Sequence, residues 1–137
     1  MPEKETLERA EEDRREGKAP STQAGEFVRE EIHHIREGKH GARSTKQAIA
    51  IGLSKARRSG VPLEPPTRGK KRTKQQAARD VRKGRTQSGR KPSPRRSRAT
   101  SRALKKEGRS AASTKALSRQ ARRSRASSRR SSRSRKS

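Results

Sequence analysis

Cysteine, tryptophan and tyrosine are absent from this 137-residue chain, and phenylalanine occurs once, as Phe27. Without cysteine, the chain has no disulfide bonds, no thiolate zinc site and no thiol nucleophile. Without Trp and Tyr, it lacks the aromatic side chains on which many proteins stack the bases of single-stranded nucleic acids. These absences exclude a disulfide-stapled fold, cysteine catalysis and base reading by stacking.

Strong core-forming residues are also scarce. Val, Ile, Leu and Phe together number 13, and 16 further hydrophobic residues are alanine. So little apolar surface does not offset the entropy of ordering a whole chain of this length. The composition therefore predicts a mostly disordered protein, with a small all-α helical hairpin and possible additional short helices.

Long apolar runs are missing as well. No stretch approaches the roughly 18 apolar residues of a membrane-spanning helix, so we expect no membrane span. The N-terminus is acidic and has no apolar segment, which argues against a signal peptide. These features predict a cytoplasmic protein.

Positive charge is present in large excess. The chain has 41 Lys and Arg against 14 Asp and Glu, for a formal charge of +27. Residues 61–137 hold +25 of this charge, whereas nine of the 13 strong apolar residues lie between 27 and 63. This segregation predicts three parts: an acidic helical leader at 1–17, a helix-loop-helix hairpin at 21–61, and a basic, disordered Arg/Lys/Ser-rich tail at 64–137.

The hairpin is predicted from helical periodicity. Apolar residues recur at spacings of four, four and three over 24–36, and a second apolar stripe runs over 45–58. Ser44 and Gln47 have the spacing of a capping box at the start of the second helix. Gly52 lies near the centre of the second stripe, where glycine costs about 1 kcal/mol against alanine, and a close approach of another helix would explain it.

The predicted hairpin is only about 36 residues long. Elements below about 40 residues usually need a disulfide, a metal or a partner to be stable. We therefore expect either marginal stability or self-association through the two apolar faces of the hairpin.

The second helix also carries a resemblance. Residues 46–57 read Lys-Gln-Ala-Ile-Ala-Ile-Gly-Leu-Ser-Lys-Ala-Arg. This run is similar to the signature Lys-Gln-Ala-Ile-Ala-Ile-x-Leu-Ser-x-Ala-Arg of a small bacterial family of unknown function. In that family a helix containing Glu-Phe precedes the signature, and Glu26-Phe27 matches it here. The resemblance covers residues 21–61, about 30% of the chain. Many members continue into histone-like basic tails. The resemblance implies a bacterial, nucleoid-associated protein and brings no catalytic residues.

The tail predicts the function. Lys and Arg neutralise backbone phosphates and release counterions, and no zinc finger, homeodomain or aromatic RNA-recognition motif is present to read bases. We expect a non-specific, histone-like DNA-binding protein that prefers duplex DNA and is located in the nucleoid. The candidate nucleic-acid-binding residues are Arg68, Lys70, Lys71, Arg72, Lys74, Arg79, Arg82, Lys83, Arg85, Arg90, Lys91, Arg95, Arg96, Arg98, Arg102, Lys105, Lys106, Arg109, Lys115, Arg119, Arg122, Arg123, Arg125, Arg129, Arg130, Arg133, Arg135 and Lys136.

Two other functions remain open at this stage. A basic extension also suits an RNA-binding or ribosome-associated protein. Recurrent Arg-Ser pairs suit an interaction protein regulated by phosphorylation, in which each phosphate adds about −1.5 to −2 charges. DNA compaction, stress protection and a plasmid or phage function would all use the same binding of phosphates by Lys and Arg.

Short helices are possible within the tail. Residues 73–83 and 113–125 each carry a thin apolar stripe. The triplets Ser-Thr-Lys at 44–46 and 113–115, with a weaker echo at 73–75, share a pattern of a capping residue followed by a base. Each triplet would open a helix.

Catalytic and metal-binding candidates are weak. On a helix, Glu30, His33 and Glu37 fall on one side and could bind a metal ion, but a solvated face explains them equally well. No nucleophile elbow, phosphate-binding glycine loop or zinc-protease motif occurs. We therefore predict no enzyme activity, no metal site and no cofactor.

Overall fold

The computed structural model describes residues 3–67, 69–86 and 93–136, with side chains described as far as residue 126. This part of the chain contains helices and no strand. The helices are α1 (Lys4–Arg15), α2 (Pro20–Arg36), α3 (Thr45–Arg58), α4 (Lys71–Thr86), α5 (Pro94–Lys105), a 3-10 turn (Ser110–Ala112) and α6 (Thr114–Lys136). No described helix is long and apolar enough to cross a membrane.

The prediction of a mostly disordered chain is wrong. Most described residues of the basic tail are helical, in α4, α5 and α6. Lys, Arg and Ala are strong helix formers, so a lack of large apolar residues does not prevent local helix formation. Serine side chains cap two of these helices: Ser93 Oγ accepts from the Arg96 amide at 3.3 Å, and Ser113 Oγ accepts from the Ala116 amide at 3.1 Å.

The two helices of the hairpin are confirmed. α2 begins at Pro20, earlier than predicted, because a proline at the first helical position has a suitable fixed φ. α3 has the predicted bounds, and Ser44 Oγ accepts from the Gln47 amide at 3.2 Å. The Gln47 side chain accepts in turn from the Arg43 amide, one residue before the position that a standard capping box uses.

The close approach predicted at Gly52 is also confirmed. Gly52 is buried, and a Cβ atom added there would lie only 2.7 Å from Cα of Val28 in α2. The absence of a side chain thus allows the backbones of α2 and α3 to cross in contact.

The acidic leader forms α1 and packs against α2. Its buried residues are Thr6, Ala10 and Asp13, whereas Leu7 is 39% exposed. Ala10 joins a small core with Phe27 and neighbouring residues of α2 and α3. The leader therefore covers one end of the hairpin.

The tail packs against the hairpin near the loop between α2 and α3. Ala111 and Ala112 of the 3-10 turn join Ile35 in a second small core. Thr45 Oγ1 donates to the Ala111 carbonyl at 2.7 Å, and Arg36 Nε donates to the Ala112 carbonyl at 2.9 Å. Phe27, Ile32 and Leu53, which belong to the apolar faces that suggested self-association, thus pack in these two cores.

A buried acid joins α4 to α3. Asp80 is 1% exposed; its carboxylate accepts from Ser54 Oγ at 2.8 Å, from Arg58 Nε at 2.9 Å and from Gln76 Nε2 at 3.1 Å. Gly84 lies inside α4, where an added Cβ would overlap the carbonyl oxygen of Arg57. The tail helix therefore docks through a polar anchor and a glycine contact, with little apolar surface.

Candidate nucleic-acid interface

The predicted phosphate-binding side chains are almost all available to solvent. Of the 28 candidates, 20 have described side chains; 19 of these are exposed, and Lys74 is half-buried. Arg68, Arg90 and Lys91 lie outside the described residues, and Arg129, Arg130, Arg133, Arg135 and Lys136 lie in α6 beyond the last described side chain.

The charge of these residues is not compensated within the described part of the chain. None of the 20 forms an ion pair within 4.0 Å of a described carboxylate. Asp80, one of three acids after residue 60, is committed to Arg58 of α3. The exposed cations therefore remain available for an external polyanion.

Five cations converge on one groove. It has a volume of about 420 Å³ and lies between the N-terminal end of α3, the 3-10 turn and the first turns of α6. Its basic side chains are Arg43, Lys46, Lys115, Arg119 and Arg123, and no acidic residue lines it. We call this feature the cationic groove.

Local structure fixes both walls of the cationic groove. Ser44 and Ser113 cap α3 and α6, so the positive ends of both helix dipoles lie at the groove. The hydrogen bond from Thr45 to the Ala111 carbonyl ties one wall to the other. On α6 the basic residues at 115, 119 and 123 are spaced by four residues, which places them on one helical face.

Sequence reasoning found part of this site. The Ser-Thr-Lys echo identified both helix starts, and residues of both triplets line the same groove. The third echo, at 73–75, lies within α4 and does not line it. Arg43 and Lys46 were missed as candidates because they belong to the hairpin, and only the fold brings them opposite α6.

Residues 19–68 match the model of a family described as "Family of unknown function (DUF6496)". The matched segment contains α2 and α3 and ends before α4, so it includes one wall of the cationic groove and excludes the other. The match agrees with the resemblance of the hairpin to a family of unknown function, whereas the bacterial origin stays a prediction. No curated protein and no solved structure matches the chain.

The metal-binding trio considered from helical spacing is not assembled. Glu30 is buried, whereas His33 and Glu37 are exposed on α2. Those three residues do not form a metal-binding group among the described side chains.

Proposed function

We propose that this protein binds nucleic acid non-specifically, with duplex DNA as the preferred partner, and that its basic tail neutralises backbone phosphates. The observation that supports this most strongly is the cationic groove, where five basic side chains meet without a lining carboxylate. Bacterial origin and a location in the nucleoid are part of this proposal.

The chemistry of the groove suits phosphate groups. Arg and Lys form charge-assisted hydrogen bonds to phosphate oxygens, and helix N-termini add backbone donors and a favourable dipole. The groove supplies both kinds of group, from α3 and from α6. Outside the groove, α4 and α5 carry further exposed basic side chains, which offer additional phosphate contacts.

A helical tail changes how binding would occur. Because α6 is already held beside the hairpin, its cations keep a fixed spacing before the ligand arrives. A preorganised surface loses less conformational entropy on binding than a disordered one. With no motif or aromatic platform for reading bases, the surface favours affinity without sequence selectivity.

Two paired variants of the full chain test the role of the groove. Arg119→Gln/Arg123→Gln removes two charges that line the groove, and Arg122→Gln/Arg125→Gln removes two exposed charges from the same helix that do not line it. Binding to a random-sequence DNA duplex is measured by fluorescence anisotropy across a range of salt concentrations. Circular dichroism confirms equal helicity.

The groove variant should bind more weakly than its control at low salt. Each lost phosphate contact makes the negative slope of log affinity against log salt shallower by about 0.9, so the slope of the groove variant should be shallower by about 1.8 than that of the original chain. The slope of the control variant should change less. Unchanged affinity and slope in the groove variant would refute a role for this groove in DNA binding.

A further inference from the structure

Two buried carboxylates of α2 have unsatisfied oxygens. Glu31 is fully buried, and Glu30 is 4% exposed. Oε2 of each residue accepts no hydrogen bond. A buried carboxylate oxygen that accepts no hydrogen bond has lost its hydration without that compensation, so each position favours a cation.

Glu31 is held so that one oxygen remains available. Its Oε1 accepts from the Lys55 ammonium group of α3. Its Oε2 lies 3.2 Å from Nε2 of His40, in the loop between α2 and α3. Lys55 thus orients the carboxylate toward the imidazole.

The hydrogen bonding of His40 defines what its Nε2 can do. Nδ1 of His40 lies 2.9 Å from the carbonyl oxygen of Gly41. A carbonyl oxygen only accepts, so Nδ1 donates to it, and Nε2 is the ring nitrogen that faces Oε2 of Glu31. An imidazole nitrogen this close to a carboxylate oxygen is favourable only when a proton or a metal ion lies between the two atoms. Metal-binding histidines commonly use this arrangement, with the second nitrogen bonded to a carbonyl.

The spacing between two of the ligand atoms fits a metal ion. Two ligand atoms bound at about 2.0 Å to a tetrahedral zinc ion lie about 3.3 Å apart, close to the observed 3.2 Å between Oε2 of Glu31 and Nε2 of His40. His34 is the third member: one ligand atom from each of Glu31, His34 and His40 lies within 4.8 Å of the others.

From this geometry we propose a divalent transition-metal site of the zinc type, with Glu31, His34 and His40 as its ligands. Two imidazoles and one carboxylate match the ligand preference of Zn²⁺. His34 also belongs to a second group with Glu3 and Glu30, whose carboxylates place further negative charge beside the ion. The metal would tie the loop between α2 and α3 to α2, and the proposal does not depend on nucleic-acid binding.

The test uses Zn²⁺ and the full chain. Isothermal titration calorimetry measures stoichiometry and affinity, and Co²⁺ replaces Zn²⁺ for visible absorption, which reports the coordination geometry. The variants are His40→Gln, His34→Gln and Glu31→Gln, and the matched control is His33→Gln, an exposed neighbour on α2. Circular dichroism without metal shows which variants fold like the original chain.

The site predicts one Zn²⁺ per chain, a higher melting temperature with Zn²⁺, and a Co²⁺ spectrum typical of nitrogen and oxygen ligands. His40→Gln and His34→Gln should each weaken binding about tenfold or more, whereas His33→Gln should bind like the original chain. If a ligand variant does not fold, the remaining ligand variants and the control carry the comparison. Absence of stoichiometric binding to the original chain, or an equal loss in His33→Gln, overturns the proposal.

Discussion

Asp80 provides the sharpest test of how a tail with so few apolar residues folds onto the hairpin. It is almost fully buried and accepts three hydrogen bonds, two of them from Ser54 and Arg58 of α3. Asp80→Ala removes all three acceptor contacts at once. Because α4 offers Ala77 as its single buried apolar side chain, the loss should release α4 from α3.

The expected magnitude follows from the type of contact. Hydrogen bonds to a charged group contribute about 1.5–3 kcal/mol each, and removing one partner of a buried ion pair costs about 3–5 kcal/mol. The Arg58 side chain is 41% exposed, so water can solvate it in the variant, which lowers the cost. We expect Asp80→Ala to reduce the free energy of unfolding by about 2–4 kcal/mol.

Urea unfolding and amide hydrogen exchange measure this effect. Exchange should accelerate over α4 more than over α3, because α3 keeps its contacts with α2. Asp80→Asn makes the same change in net charge and keeps one acceptor, so it should cost less than Asp80→Ala. The exposed Gln75→Ala on the same helix serves as the control. Stability and α4 protection equal to the original chain in Asp80→Ala would refute the anchor.

Three further changes probe other contacts. Gly52→Ala should destabilise the chain by about 1–3 kcal/mol in urea unfolding, because an added Cβ overpacks the helix crossing. Thr45→Val should cost about 1–2 kcal/mol by removing the hydrogen bond to the buried Ala111 carbonyl, with faster exchange around the 3-10 turn. A hydrogen bond from Arg14 holds the pKa of Glu11 below its usual range. The contact therefore stabilises α1 at pH values above the ordinary carboxyl pKa, and this stabilisation is lost as the pH falls through the lowered pKa of Glu11. Arg14→Ala should raise the Glu11 pKa in an NMR titration.

The hairpin could be predicted because its signals are local. α3 has a serine cap, an apolar stripe and a glycine at its end, all within 17 residues of sequence. Gly52 was interpreted correctly because a glycine in the middle of an apolar face needs a packing reason. Such features depend on helical geometry alone and require no knowledge of distant partners.

The fold of the tail could not be predicted from hydrophobic patterning. Its buried contacts come from Ala77, Ala111 and Ala112 and from the carboxylate of Asp80. Alanines are common in exposed helices too, and nothing in the local sequence distinguishes a buried aspartate from a solvated one. Composition therefore predicted correctly that the tail presents charged side chains, but it predicted wrongly that the backbone of the tail is disordered.

The cationic groove could not be predicted from the sequence for a related reason. Its walls are far apart in sequence: the hydrogen bond between Thr45 and Ala111 joins residues 66 positions apart. The proposed metal ligands likewise combine α2 with the following loop, whose path helical periodicity does not describe. The sequence indicated which residue types were present, and the tertiary contacts decide which of them meet.

The most direct test of the central claim is a salt titration of binding by the full chain to random-sequence duplex DNA. If the five cations of the groove alone engage phosphates, log affinity should fall linearly with log salt with a slope of about −4.5, and contacts elsewhere on the tail would make it steeper. Duplex RNA and heparin, titrated in parallel, compare other polyanions with DNA. A slope near zero, or no binding to DNA at low salt, would contradict the account.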